Sequence, residues 1–404
     1  MDYKDGKPAD TRLSRRQFST AFSAAVASAA CATGGAAATL ADGPSDVALP
    51  WASADQYSRC VARAIGYLES QGQAPDGSFA AQAGVGVTAL ATAAILRQGR
   101  SIRDPLVAKA LKYLETFVQP DGGVYSPGGM LANYETCLAI MCLTEANADR
   151  RYHRILQRAE AYVRTHQWDE SQRKEPDDVA YGGAGYGKHK RPDLSNTTFL
   201  IDALKACGRG PNDPDTCGPD DPAIQKALVF VSRCQNLESA HNTTPFAAKI
   251  NNGGFYYTCA AGGRSPAGLT ANGGLRSYAS MTYSGLKSML HAGLGPDDPR
   301  VKAAVAWIRN HYDLKSNPGL GDAGLYYYYH TFAKTLHVLG GAVFEDAVGV
   351  KHDWRCELAA ELSASQRENG SWVNANNRWM EGDPNLATAY SLLAISYCRP
   401  QTPS

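Results

Sequence analysis

Residues 366–372 read QRENGSW, a polar turn that carries a glycine and ends in an aromatic residue. Five further segments share this pattern, each lying between an amphipathic stretch and a more apolar one. They are QAPDGSF (73–79), QPDGGVY (119–125), YGGAGYG (181–187), NNGGFYY (251–257) and GDAGLYY (321–327). A helix–turn–helix unit of about 45 residues cannot bury its own apolar face, so copies of it must stack. Six copies predict an all-α fold, an (α/α)6 toroid in which an inner and an outer ring of helices surround a central cavity.

The two helices of each repeat have different sequence signals. First helices begin at an acid followed by proline, as at Asp104, Asp221 and Asp298, which is typical of a capped helix start. Second helices are more apolar and align on a threonine, so we expect them to form the inner ring. These threonines are Thr88, Thr136, Thr197, Thr282, Thr331 and Thr388. A glutamine follows several first helices, and we expect it to bond the neighbouring helix end and tie the repeats together. These glutamines are Gln119, Gln167, Gln235 and Gln366.

Composition excludes some functions. The chain has 404 residues, 44% of them hydrophobic, and a formal net charge of +1. That is ample for a large core and gives no basic footprint for nucleic acid. The repeat register predicts one toroid domain over residues 56–398 and a tail over 399–404. We expect a monomer.

The N-terminus carries an export pattern. The run SRRQF (14–18) precedes a weakly apolar, alanine-rich stretch, and the pair resembles a twin-arginine signal of bacteria. We therefore exclude residues 1–41 from the fold as a signal segment and treat 42–55 as a linker. The resemblance implies export to the periplasm or the cell surface, with membrane contact only through the signal or through a lipid anchor at Cys31. A disordered basic tail is the alternative interpretation.

The turns also carry a family resemblance. QRENGSW and QAPDGSF resemble the glutamine–tryptophan repeats of squalene-hopene and oxidosqualene cyclases. The six-fold pattern is similar to the toroid that those terpene cyclases share with protein prenyltransferase β subunits, the prenyltransferase and squalene oxidase repeat. The resemblance covers about residues 56–398. It implies an isoprenoid or other apolar ligand in the central cavity.

The chain departs from both catalytic patterns of that superfamily. Hopene-type cyclases protonate their substrate with a D-x-D-D-T motif, and the corresponding stretch here is DLSNT (193–197). Asp193 remains, but Ser195 and Asn196 replace the two later acids. The prenyltransferase zinc site would retain only His330 of its three ligands, so we predict no metal and no cofactor. The resemblance therefore implies binding and leaves catalysis open.

The position just before each inner-helix threonine is predicted to face the cavity. Glu135 and His330 are the ionisable residues at that position, and together with Asp193 they are the catalytic candidates. The alternative is that Glu135 caps a helix locally and that His330 bonds a backbone carbonyl. Hydroxylated and amide side chains at the turns and helix starts are the predicted ligand contacts. They are Tyr134, Tyr181, Tyr186, Ser195, Asn196, Tyr256, Tyr278, Tyr283, Tyr327 and Tyr329.

Two other classes of function fit the same fold. One is a non-catalytic toroid that binds a ligand or presents its loops to a partner. The other is a carbohydrate-active toroid, which needs two carboxylates about 5 to 10 Å apart in the cavity.

Overall fold

The computed structural model describes residues 54–187, 191–207 and 218–400. The predicted signal segment, Cys31 and most of the C-terminal tail lie outside the described residues. Within these ranges the helices are, in chain order, α1 (Ala54–Tyr67), α2 (Val85–Arg97), α3 (Pro105–Glu115), α4 (Ala132–Glu145), α5 (His153–Arg164), α6 (Leu194–Cys207), α7 (Pro222–Arg233), α8 (Ala247–Ile250), α9 (Ala279–His291), α10 (Pro299–Asn310), α11 (Leu325–Leu339), α12 (Trp354–Ser365) and α13 (Pro384–Ser396). A short antiparallel hairpin, β1 (Phe344–Glu345) and β2 (Lys351–His352), lies between α11 and α12.

Six of these helices form a closed inner ring. Helix α2 packs against α4, α4 against α6, α6 against α9, α9 against α11, α11 against α13, and α13 returns to α2. The outer helices α1, α3, α5, α7, α10 and α12 pack against the inner ones. We call the space enclosed by the six inner helices the hub. The predicted all-α toroid is therefore confirmed.

Glutamine side chains tie consecutive repeats together. The side-chain amide of Gln167 donates to Gly182 O in its own turn and to Ala223 O in the next outer helix, at 2.9 and 2.8 Å. Gln235 makes the equivalent pair of bonds, and Gln366 closes the ring by donating to Cys60 O in α1. Gln119 differs, because its amide bonds only the backbone of its own turn. The predicted tie holds for three of the four glutamines.

The glycine of the turn permits this close contact between repeats. Gly182 has a φ of 80°, and a Cβ atom at that position would lie 1.8 Å from Lys226 O in the next outer helix. A side chain is therefore excluded both by conformation and by the approach of the neighbouring backbone.

The aligned threonines fasten each turn to its inner helix. The hydroxyl of Thr282, for example, accepts a hydrogen bond of 3.0 Å from the backbone N–H of Phe255, the aromatic residue of the turn. Thr88, Thr136, Thr197 and Thr388 accept the equivalent bond. Five buried turn amides are satisfied in this way.

The fifth repeat departs from the sequence alignment. Helix α11 begins at Leu325, so the tyrosines of GDAGLYY lie inside the helix rather than in a turn. Thr331 donates to Tyr328 O and accepts no turn amide. The chain instead turns at Asn317, which forms a β-bridge with Gly321. Within the described ranges, no helix has the length and apolarity needed to cross a membrane.

Candidate functional site

Buried carboxylates gather at the N-terminal end of the hub, where the inner helices begin. Glu135 accepts the backbone N–H of Val85, the first residue of α2, at 3.1 Å, and that of Ser126 at 2.8 Å. Glu381 accepts the N–H groups of Tyr326 and Tyr327 at the start of α11. These acids occupy helix N-termini, where unpaired N–H groups and the helix dipole stabilise negative charge.

Asp193 precedes α6 and bonds the start of its own helix, whereas Glu135 and Glu381 bond the starts of neighbouring helices. Burial raises the pKa of all three acids. The Asp193 carboxylate accepts the backbone N–H of Asn196 at 2.9 Å and the side-chain amide of the same residue at 2.8 Å. Burial nevertheless raises its pKa from 3.8 to about 6, against the effect of those bonds and of a side-chain hydrogen bond from Tyr257. Tyr257 also interacts with the Tyr186 side chain. Hydrogen bonds thus connect buried Asp193 to Tyr257 and, through it, to Tyr186, and both tyrosines are partly exposed residues.

Aromatic rings cross the hub at this end. Phe199 of α6 and Tyr327 of α11 have ring centroids 6.3 Å apart, although α9 lies between their helices in the ring. The hydroxyls of Ser195 and Tyr327 span the same gap at 3.1 Å. Tyr390 of α13 contacts Tyr327 with centroids 5.7 Å apart. The hub is therefore bridged by side chains at this level, so the predicted central cavity is interrupted here.

The ten predicted ligand contacts divide into three groups. Tyr134, Tyr186, Ser195 and Tyr327 are partly exposed at the bridged layer. Asn196 and Tyr278 are buried beside it.

The other four predicted contacts pack or form hydrogen bonds within the protein, away from the bridged layer. Tyr256 and Tyr329 are fully buried, and their hydroxyls donate to Arg233 O and Leu314 O. Tyr283 is also fully buried and packs on Tyr328 and Phe332. Tyr181 donates to the Glu170 carboxylate. These tyrosines were predicted from their proximity to turns, which does not distinguish the hub from the packing between helices.

Glu135 and His330 are not a contacting pair in the described part of the chain. Glu135 uses its two oxygens on backbone N–H groups, as given above. His330 lies in α11, and its ring stacks on Tyr390 with centroids 5.9 Å apart. Burial holds the pKa of His330 well below its ordinary value, and nearby Lys334 lowers it further. Its Nδ1 has no hydrogen-bond partner among the residues that the structure describes. The catalytic roles of both residues remain predictions.

A buried ionic cluster lies deeper in the hub. The carboxylate of Asp202 in α6 contacts Lys287 Nζ of α9 at 2.5 Å and Lys334 Nζ of α11 at 2.7 Å. Burial opposes ionisation of Asp202, but the two ammonium groups hold its pKa well below the ordinary value. Burial also lowers the pKa of Lys287, to about 8. His291 Nδ1 lies 3.6 Å from the same carboxylate.

Beyond this cluster a cavity opens at the C-terminal end of the hub. Its volume is about 620 Å³. Four cationic side chains and one carboxylate are among its lining residues, which are Arg97, Glu145, His291, Lys334, His337, Val338, Arg355, Ser396, Tyr397 and Arg399. We call this the basic cavity.

The ionic cluster and the basic cavity are not among the sites predicted from the sequence. Asp202, Lys287 and Lys334 interrupt the apolar faces of three inner helices, and a search for charges within apolar periodicity would have found them. Glu381 carried no such signal, because it lies in the irregular segment before α13. In the part of the chain that the structure describes, no three His, Cys, Asp or Glu side chains are grouped to hold a metal ion.

Comparison with known proteins gives a likeness of fold. No protein-family model and no curated protein sequence matches the chain. A solved structure with a similar fold is a variant of the type II terpene cyclase MstE from Scytonema in complex with merosterolic acid A, its product. It is 16% identical, with 86% of this chain and 98% of that chain covered and a TM-score of 0.50. Another variant of that enzyme, in complex with its substrate geranylgeranyl dihydroxybenzoate, is 13% identical, with the same coverage and TM-score. At this identity the likeness concerns the fold alone, which is terpene cyclase-like.

Proposed function

We propose that this chain is an exported, terpene cyclase-like toroid that binds an isoprenoid or similar apolar ligand at the N-terminal end of its hub. The observation that carries the proposal is a buried carboxyl group, Asp193, beside a layer of partly exposed tyrosines. Aromatic faces pack against isoprenoid methyl groups and stabilise carbocations. The likeness to MstE, whose substrate carries a geranylgeranyl group, supports an isoprenoid rather than a sugar.

Asp193 is the proposed proton donor. With a pKa of about 6 it retains its proton in mildly acidic solution, as a general acid requires. Its O–H bond would break as a C–H bond forms at an alkene carbon, which leaves a cation facing the rings of Tyr327 and Tyr134. Tyr257 and Tyr186 supply a route for reprotonation from solvent.

The test separates binding from chemistry. The purified chain is incubated with geranylgeraniol and with geranylgeranyl dihydroxybenzoate, bound ligand is measured by native mass spectrometry, and products by gas or liquid chromatography coupled to mass spectrometry. We expect Asp193→Asn to bind ligand without forming product. Glu381→Gln is the matched control, because Glu381 is also buried at a helix start, accepts a backbone N–H and an asparagine amide as Asp193 does, and has a pKa raised by burial. Failure to bind either prenyl compound, or full turnover by Asp193→Asn, would overturn the proposal.

A non-catalytic binding toroid is the second candidate, and the Phe199–Tyr327 bridge favours it. A bridged hub leaves less room for a folded polyene than an open one. If the wild-type chain binds prenyl compounds but neither it nor Phe199→Ala forms a product, this candidate replaces the first. We do not propose a carbohydrate-active enzyme, because Glu135 and Glu381 are both engaged by backbone N–H groups.

Export is part of the proposal and rests on the SRRQF run (14–18). Replacement of Arg15 and Arg16 by lysine should retain the precursor in the cytoplasm of a bacterial host, as measured by cell fractionation. Replacement of Cys31 by serine should leave export unchanged unless that cysteine carries a lipid. A monomer is expected by light scattering of the mature chain.

A further inference from the structure

We propose that the basic cavity at the C-terminal end of the hub is a binding site for a phosphorylated small molecule. This site is separate from the proposed isoprenoid site, because the layer of Asp202, Lys287 and Lys334 lies between them. The inference does not depend on the proposed function.

Charge is the first argument. The cavity lining carries four cationic side chains and the single carboxylate of Glu145. Asp202 does not change this balance, because it contacts Lys287 as well as Lys334. A partly enclosed, polar space with this excess of positive charge attracts anions.

Helix dipoles explain some of these charges but not all of them. The inner helices end at the cavity, and cations are favourable at helix C-termini. Arg97, the last residue of α2, pairs with Glu145 at 2.8 Å. Arg399 donates to Arg97 O at 2.6 Å and so caps that helix. These two arginines have a structural role even in the absence of a ligand.

Arg355 has no such explanation. It is the second residue of α12, so it places a cation at a helix N-terminus, where positive charge is unfavourable. In the described part of the chain it forms no ion pair, although the Asp353 carboxylate at the cap of α12 attracts it. One of its nitrogens donates to Gly341 O at 3.1 Å. Its guanidinium lies 4.2 Å from the Trp354 ring centroid. A guanidinium that stacks on a ring and makes this one hydrogen bond can offer its other N–H groups to a ligand.

Guanidinium geometry indicates the class of anion. Arginine presents a planar fork of donors that matches two oxygens of one phosphate group. Tyr397 and His337 add ring surfaces, with centroids 5.1 Å apart, on which an organic part of the ligand could pack. The volume of about 620 Å³ falls in the range of small-molecule sites.

The test is isothermal titration calorimetry of the mature chain with inorganic diphosphate. We expect saturable binding that Arg355→Gln weakens by at least about tenfold, because it removes one of the charges that contact the anion. Arg355→Lys should fall between wild type and Arg355→Gln, since it keeps the charge and loses the fork. Arg276→Gln is the matched control, because Arg276 is also held by a backbone carbonyl and has no carboxylate partner among the described residues.

The diphosphate titration tests this site independently of the proposed isoprenoid binding. Loss of binding in Arg355→Gln with retention in Arg276→Gln supports the proposal. The absence of saturable diphosphate binding, or equal binding by all variants, overturns it and assigns the charges to the helix C-termini. Vesicles that contain phosphatidic acid, compared with phosphatidylcholine alone, separate a lipid phosphate from a soluble one. Arg355-dependent binding to the acidic vesicles but not to diphosphate would overturn the assignment to a soluble ligand.

Discussion

The two ends of the hub carry opposite chemistry. At the N-terminal end, Glu135, Asp193 and Glu381 lie among tyrosines, whereas at the C-terminal end the lining is mostly cationic. Six inner helices run in the same direction, so their N–H groups converge at one end and their carbonyl groups at the other. The helix dipole favours acids at the first end and bases at the second. Most of the charge separation therefore follows from the fold and carries no information about function.

Residues whose charge or protonation the helix dipole does not explain are the ones that carry information about function. Asp193 follows the helix-dipole rule in position, but burial raises its pKa to about 6, so it titrates in mildly acidic solution. Burial raises the pKa of Glu135 and of Glu381 as well. Arg355 breaks the rule, since it is a cation at a helix start. Asp202 is an acid in the interior of the hub with two lysines on it. The following predictions test Asp193, Arg355, Asp202 and one of the threonines that fasten the N-terminal end.

The largest effect is expected at the layer that separates the two ends. Asp202→Asn leaves Lys287 and Lys334 buried without an anionic partner, which should lower the free energy of unfolding by about 3 to 5 kcal/mol. Urea unfolding followed by circular dichroism measures this change. The double variant Asp202→Asn/Lys287→Met should recover part of the loss, because it removes one of the two unpaired charges.

An exposed ion pair supplies the control for that experiment. Asp297 contacts Lys302 at 3.0 Å with both side chains more than half exposed. Asp297→Asn should change the free energy of unfolding by less than about 0.5 kcal/mol. A similarly small change in Asp202→Asn would show that water reaches the cluster and that the two ends of the hub are connected.

Asp193 should give a pH dependence of stability. Its pKa is higher in the folded chain than the ordinary 3.8, so the folded state binds more protons between about pH 4 and pH 6. Stability from this group is therefore greatest at low pH and falls as the pH rises through 6, by up to roughly 3 kcal/mol. Asp193→Asn should remove that part of the slope, as measured by urea unfolding at several pH values. An unchanged slope would contradict a raised pKa, and Asp297→Asn should keep the wild-type slope.

A threonine of the N-terminal end should show a smaller loss. Thr282→Val leaves the buried N–H of Phe255 without its acceptor, which should cost about 1 to 2 kcal/mol. Thr331→Val is the matched control, because that hydroxyl accepts no turn amide and only donates within its own helix. Thermal unfolding of both variants measures the difference. Equal losses of stability in the two variants would show that replacing a buried hydroxyl with a methyl group causes the loss, and that the hydrogen bond to the turn does not.

The ring could be predicted from the sequence because its signals are local and repeated. A glycine that contacts the next outer helix and a threonine that fastens the turn recur with the period of the repeat, so each copy supports the others. The turn of the fifth repeat was predicted at the wrong residues. Asn317 and Gly321 form it without the aromatic residue that marks the other five turns.

The interior of the hub could not be predicted in the same way. Some of its contacts join residues two repeats apart, as Ser195 and Tyr327 do, and others join adjacent repeats, as Asp202 and Lys287 do. Sequence position placed Glu135 at the cavity because it precedes Thr136, yet its carboxylate turns sideways to cap α2. The direction of a side chain at a helix start depends on the neighbouring helix, which periodicity along one helix does not report.

The smallest change in the free energy of unfolding is expected at Arg355. Whether that change is a gain or a loss tests whether the charges at the C-terminal end all serve the fold. Arg355→Glu replaces a cation at a helix N-terminus with an anion and lowers the excess positive charge of the basic cavity. Both changes favour the folded chain, whereas the lost stacking on Trp354 and the lost attraction to Asp353 oppose them, so we expect a net gain of at most about 0.5 kcal/mol in the free energy of unfolding. The same variant should lose the stabilisation that diphosphate gives to the wild-type chain in thermal unfolding. A residue that lowers the stability of the empty protein and raises that of the liganded one acts through the ligand rather than through the fold. A loss of stability in Arg355→Glu without diphosphate would instead assign Arg355 to the packing of α12.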